Sequence, residues 1–237
     1  NAYEVANDVI TNSGVVLTSK ESLISEWAKP DLPISEILLE FTPRKDGEGN
    51  VSSSMSQTFG YTTDVSFQKY AASNDLIDLY ENTDLRKQLF LVKPLFTLVN
   101  GVQTYVDYSF TRKYQDNAGY VAFRLSEMYL IRAEAALETN RADLAMADIN
   151  IIRARANASL LTNTANLKEN IFLERRKELC FEGFLFFDIA RMHKDVSRND
   201  GCMATVCSLT YPSLKFVLPI PTFNTNLNPN LQQNDSY

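Results

Sequence analysis

Phe123-Arg124-Leu125-Ser126-Glu127-Met128-Tyr129-Leu130-Ile131-Arg132-Ala133-Glu134-Ala135 runs on to Asn140, and Ala142-Asp143-Leu144-Ala145-Met146-Ala147-Asp148-Ile149 follows almost at once. The apolar spacing predicts a helix over 123–138, packed through Leu130, Ile131, Ala133, Ala135 and Leu137. It predicts a second over 142–156, packed through Leu144, Ala145, Ile149 and Ile152. Asn140 can stop the first helix. So short a connection makes the pair an antiparallel αα-hairpin. Ala133 and Ala145 stand twelve apart and Ile149 follows four later, the small-residue spacing of a tetratricopeptide-type pair. One clear copy is present, and a solenoid needs about three, so the expectation is that part of the scaffold lies outside the chain.

Downstream, Leu167, Ile171, Leu173, Leu179, Phe181, Phe184, Phe186, Phe187 and Ile189 predict one long, central third helix over 166–192. Its first half holds the densest charge, Glu174-Arg175-Arg176-Lys177-Glu178, with Glu174, Glu178 and Glu182 four apart. Like charges at that spacing repel unless something basic faces them. Arg124, Arg132, Arg153 and Arg155 on the two preceding helices are suitable partners, because a guanidinium pairs a carboxylate through two parallel hydrogen bonds. The competing reading is a glycosidase-like carboxylate pair, which needs an open cleft and about 5 to 10 Å between carboxyls. A long aromatic helix is a poor place for such a cleft, so the Arg–Glu network is favoured.

The N-terminal half is less periodic. Ala2, Val5, Ala6, Val9 and Ile10 predict a helix stopped at Asn12-Ser13-Gly14. It has no visible N-cap, as if it continued a longer element. Ile34–Phe41 reads as a strand, 42–63 as a long polar loop and Asp75–Tyr80 as short helix, with Arg86 as its furthest end. Leu89–Val99 and Val102–Phe110 read as strands joined at Asn100-Gly101, a dipeptide suited to the positive φ of a tight hairpin turn. Near the end, Leu214–Leu218 reads as a short strand and Leu218-Pro219-Ile220-Pro221 as extended chain.

Composition narrows the chemistry. The chain has 237 residues, a net charge of −6, eight glycines and eight prolines, against an ordinary combined Gly and Pro usage of about 12%. Few chain breakers favour helix. Net negative charge argues against nucleic acid as a partner. A single histidine, His193, at the expected helix end, suits the helix dipole and excludes His-rich metal sites. No dinucleotide-binding or Walker loop and no nucleophile elbow is present. Cys180 reads as a buried apolar residue. Cys202 and Cys207 could close a short loop in an oxidising compartment, or stand as free thiols.

Five ordered blocks resemble SusD/RagB-type proteins. They are Phe123–Ala135 with its Arg-x-x-Glu-x-Tyr-Leu-x-x-Ala-Glu-Ala pattern, Ile149-Asn150-x-x-Arg153-x-Arg155-Ala156, Glu174-Arg175-Arg176-x-Glu178-Leu179-x-x-Glu182-Gly183 with Phe187-Asp188 and Arg191, Leu218-Pro219-Ile220-Pro221, and Asn228-Pro229-Asn230-Leu231-x-Gln233-Asn234. Asp75–Tyr80 with Asp84-Leu85-Arg86 is similar to a weaker family segment. Thr222-Phe223-Asn224 and the ending Asn234-Asp235-Ser236-Tyr237 depart from the usual pattern.

The resemblance implies a mainly α fold with minor β, built on a tetratricopeptide-like scaffold with a hairpin and long loops. Residues 1–119 would hold the end of the scaffold and the variable ligand-binding region, and 120–237 the C-terminal helical region. The implied function is non-catalytic capture of oligosaccharides on the outer-membrane surface, for uptake through a SusC-like TonB-dependent transporter. A lipid anchor would lie upstream of Asn1, and no cofactor or metal is implied. RagB-like relatives handle peptides, which is the alternative; a glycoside hydrolase is a more distant one.

Family ligand sites lie on variable loops, so contact residues must come from chemistry. Sugars stack their C–H faces on aromatic rings and need hydrogen-bonding groups beside them. Within the polar segment Trp27–Tyr70 the expected contacts are Trp27, Phe59, Tyr61 and Tyr70, with Gln57, Thr58 and Asp64 nearby.

Overall fold

The computed structural model describes residues 1–27, 35–41, 58–59, 70–99, 101–114, 119–198, 200, 202 and 204–237. Tyr61, Gln57 and Asp64, and nearly all of the expected loop over 42–63, lie outside the described residues. The chain forms two compact units, Asn1–Phe184 and Leu185–Tyr237. The expected division between 119 and 120 falls inside the first unit, where strand pairing crosses it.

The first unit runs α1 (Ala2–Asn12), α2 (Leu23–Trp27), β1 (Ile37–Phe41), α3 (Asn74–Ile77), a 3₁₀ turn at Leu85–Leu89, β2 (Phe90–Val99), β3 (Val102–Thr111), β4 (Tyr120–Arg124), α4 (Leu125–Glu138), α5 (Ala142–Arg155) and α6 (Leu167–Glu178). It is mainly helical with a minor β component, the class the sequence predicts. Gly14 follows α1 at φ +71° and Asn140 follows α4 at φ +58°, the left-handed stops expected of those residues.

The seam between α4 and α5 is lined by Ala133, Ala136, Ala145 and Ile149, and Leu167 and Ile171 of α6 close it. Alanine at the crossing lets two helix backbones approach closely, and the branched side chains fill what remains. Leu144, expected on the packed face, is 46% exposed. A second cluster joins Leu130, Ile152 and Leu179. Arg132 does not reach the glutamates of α6. It forks onto Asp148 of α5 at 2.6 and 2.9 Å and donates to Asn7 of α1 at 2.7 Å, tying three helices together.

Three predicted boundaries move. The helix expected from Phe123 begins at Leu125, because Tyr120–Arg124 pairs antiparallel with β1 and holds Arg124 extended at φ −145°. The short helix expected over 75–80, reaching 86 at the furthest, is α3 alone. The chain then turns, and Asp84 caps the 3₁₀ turn by accepting from the Arg86 backbone N–H at 3.1 Å. The long third helix is broken. α6 ends at Glu178, and Phe181 and Gly183 take left-handed φ values of +65° and +88°. Helical spacing runs straight through this break because aromatic and leucine residues continue on both sides. β2 and β3 pair in register from Phe90↔Thr111 to Val99↔Val102, with Gly101 at φ +80° in the turn.

The second unit contains α7 (Leu185–Arg191), a two-residue ladder of β5 (Val196–Ser197) with β6 (Ser208–Leu209), a 3₁₀ turn at Leu214–Phe216 and α8 (Thr222–Leu227). Cys202 and Cys207 are bonded, closing the loop between β5 and β6. His193, just past α7, stacks on Tyr211 with ring centroids 4.3 Å apart. Leu214–Leu218 is not a strand: the Ser213 hydroxyl accepts from the Lys215 N–H and offers the backbone a local partner. Leu218–Pro221 is held by side-chain amides. Gln233 exchanges two hydrogen bonds with the Ile220 backbone, and Asn234 donates to the Leu218 carbonyl. This gives a physical role to the terminal Gln and Asn.

Candidate functional site

Behind the apolar seam the same helices enclose a cluster of buried charge. Arg86, Lys113, Arg124, Arg153, Arg155 and Lys177 face Glu36, Glu81, Asp84, Glu174, Glu178 and Glu182. Among the described residues the two sets are equal in number, so the cluster is electrically balanced. Glu178 is the hub. Arg86 reaches one carboxylate oxygen at 2.9 Å and Arg124 the other at 2.7 Å, and Arg155 joins Arg124 there. Arg124, only 1% exposed, also bonds Glu36 at 2.6 Å and Glu182 at 2.8 Å.

Local structure explains who arrives. Glu174 and Glu178 are one turn apart on α6. The break after Glu178 turns Glu182 back toward Arg124 and Lys113, where a continuous helix would carry it away along the axis. The bulged pairing of β1 with β4 sets Glu36 beside Arg124, with the Leu125 N–H donating to the Glu36 carbonyl at 2.9 Å. Of the expected pairs, Arg153–Glu174, Arg155–Glu178, Arg124–Glu178 and Arg124–Glu182 form. Glu36 and Lys113 come from segments without periodic signal, and spacing could not have found them.

The chemistry of these carboxylates is that of a structural cluster. Burial alone would raise the Glu178 carboxyl, but Arg155, Arg124, Arg86 and Lys113 outweigh it and hold it well below the usual carboxylate range. Burial is likewise outweighed at Glu174, by Arg86 and Lys177, and at Glu182, by Arg124 and Lys113. A general acid at neutral pH needs the opposite shift. Among the described residues no group of side chains is arranged to hold a metal ion.

A set of aromatic rings lies beside the cluster. Tyr70, 57% exposed, packs on half-buried Phe59 with centroids 5.6 Å apart. Phe59 rests in turn on Phe181 at 5.6 Å and on buried Tyr114 at 6.3 Å. Two of the expected contact residues are thus brought together as a shelf with one open ring. The third that can be placed, Trp27, is not at the surface. It is 6% exposed, packed with Leu23, Leu89 and Val121, and lies under the Lys113 ammonium at 5.0 Å and the Arg124 guanidinium at 5.4 Å. A lone tryptophan outside the main helices looked like a ligand platform. Tertiary structure makes it a cation–π wall of the charged cluster. Tyr114 and Phe181 were missed, the latter because it seemed to lie within a helix.

The sequence model of the SusD family matches residues 95–237. Among solved structures the chain is similar to a SusD superfamily protein from Bacteroides thetaiotaomicron, at 25% identity over 98% of this chain and 55% of that one, with a TM-score of 0.81. It is similar to a SusD superfamily protein from Bacteroides vulgatus at 24% identity, over 100% of this chain and 54% of that one, with a TM-score of 0.80. A SusD-like carbohydrate binding protein from Bacteroides vulgatus aligns at 23% identity over 83% of this chain and 42% of its own length, with a TM-score of 0.68. No curated protein matches the sequence. The chain spans about half the length of the solved structures it matches.

Proposed function

This chain belongs to the SusD family, and we propose that it captures oligosaccharides at the outer-membrane surface without altering them and passes them to a SusC-like TonB-dependent transporter. The observation that carries the reading is the shelf of Tyr70 on Phe59, an open ring backed by further rings. Such a surface suits the C–H face of a pyranose, which gains contact area against a flat ring while its hydroxyls stay hydrated or find polar neighbours. We assign ligand contact to Tyr70 and Phe59, and to Tyr61 on the chain that connects them. No helix among the described residues is long and apolar enough to cross a membrane; attachment through a lipid is proposed from the family resemblance alone.

The test is titration of the protein with soluble amylopectin, arabinoxylan, yeast mannan and mucin O-glycans, with tryptic casein peptides as the competing class. Saturable binding of at least one polysaccharide, with no new reducing ends, is expected. Tyr70→Ala should weaken that binding about three- to tenfold. Binding of the peptides alone, release of reducing ends, or no binding at all overturns the reading.

A further inference from the structure

The turn that follows α6 has almost every carbonyl claimed by a side chain from another segment. Lys113 Nζ donates to the carbonyls of Glu178 at 2.7 Å and Cys180 at 3.1 Å, and to the Glu182 carboxylate at 2.5 Å, which uses all three of its N–H groups. The next residue, Tyr114, donates its hydroxyl to the Phe181 carbonyl at 2.9 Å. Tyr120 donates to the Glu182 carbonyl at 3.4 Å. Phe181 itself sits at φ +65°, a conformation that residues with a Cβ avoid and that persists only where surroundings over-determine it. Its ring is the one on which Phe59 stands edge-on.

We infer that Lys113 and Tyr114 are positioning residues for the ligand shelf: by pinning the 178–182 turn they hold the Phe181 ring as the floor under Phe59 and Tyr70. The inference rests on the shelf being the sugar-contacting surface. A turn left to its own preferences would return Phe181 to φ < 0 and swing its ring away. Phe59 would then lose the face it packs on, and Tyr70 would lose its backing. The staple and the shelf are therefore one unit, with Tyr114 serving in both, its hydroxyl in the first and its ring in the second.

The turn carries its own reporter. Cys180 is buried and free, whereas Cys202 and Cys207 are bonded, so thiol labelling with Ellman's reagent reads opening of this turn alone. Tyr114→Phe keeps the ring and removes the hydrogen bond to the Phe181 carbonyl. It should raise the labelling rate of Cys180 about tenfold and weaken binding of whichever tested polysaccharide the protein holds by about three- to tenfold, with its Tm lowered by only about 2–6 °C. Lys113→Met should do the same more strongly; if it fails to fold, Tyr114→Phe still decides. Faster labelling with unchanged affinity makes the staple purely structural and overturns the inference, as does unchanged labelling. Affinity lost in Tyr70→Ala but kept in Tyr114→Phe overturns it while leaving the shelf in place. Affinity kept in both variants moves the sugar site elsewhere and removes the shelf assignment together with this inference.

Discussion

Helix α6 presents Leu167 and Ile171 to the alanine-lined seam of α4 and α5 and, further along, Glu174 and Glu178 to the arginines of the buried cluster. Both ends are equally buried, yet they hold the fold by different rules. The seam works by non-directional contact, where shape is what matters and a lost methylene leaves only a gap. The cluster works by directed pairs. Apart from Glu81 and Arg153 at its edge, its groups have been taken out of water, and those are tolerable only because partners are in place. The difference teaches where specificity lies. An apolar seam tolerates slippage by a fraction of a turn, whereas forked guanidinium–carboxylate contacts accept one register. We read the cluster as what fixes how β1, β4, α5 and α6 meet.

The sharpest way to break this comparison is to delete one partner on each side. Glu178→Ala leaves Arg86, Arg124 and Arg155 buried around a missing hub, and unfolding in urea should show a loss of about 3–5 kcal/mol, little restored by salt. Ile149→Ala in the seam should cost about 2–4 kcal/mol. A Glu178→Ala variant that melts like the parent would show these charges to be solvated and ordinary.

Acid should separate the two regions without mutation. Glu174, Glu178 and Glu182 have folded-state pKa values below the ordinary 4.5. Their stabilisation is fully present above the unfolded value and is lost as pH falls through the folded one. Urea midpoints should therefore be flat with respect to these groups between pH 7 and about 5, then fall below about 4.5. Each depressed carboxyl contributes up to about 1.4 kcal/mol per pH unit in that lower window, so Glu178→Gln should flatten the slope by up to that amount. An unchanged slope would remove Glu178 from the linkage. The smallest effect is expected at the Lys168–Glu138 pair, 3.5 Å apart with both side chains 61% exposed. Lys168→Ala should leave Tm unmoved within error, since exposed pairs are screened and entropically costly. A clear drop there would blur the line between buried and surface charge.

Much of this was legible in one dimension. The αα-hairpin was readable from Ala133, Ala145 and Ile149, because a helix face repeats every 3.6 residues and small residues mark close crossings. The β2–β3 register followed from Asn100-Gly101, and the pairing of α5 arginines with α6 glutamates from charge recurring every four residues. The break after Glu178 was not legible. Leucine and aromatic residues continue through it, and the left-handed φ of Phe181 is imposed by Lys113 and Tyr114, more than sixty residues earlier.

Periodicity and turn chemistry are local, so the sequence by itself determined the helical class, the hairpin turn and the residues able to pair. Which rings reach solvent is decided by what the rest of the chain lays over them. As an expected sugar platform Trp27 stood with Tyr61 ahead of Tyr70. Only the tertiary structure put Trp27 under two buried cations and left Tyr70 open, because burial is a property of neighbours distant in the chain.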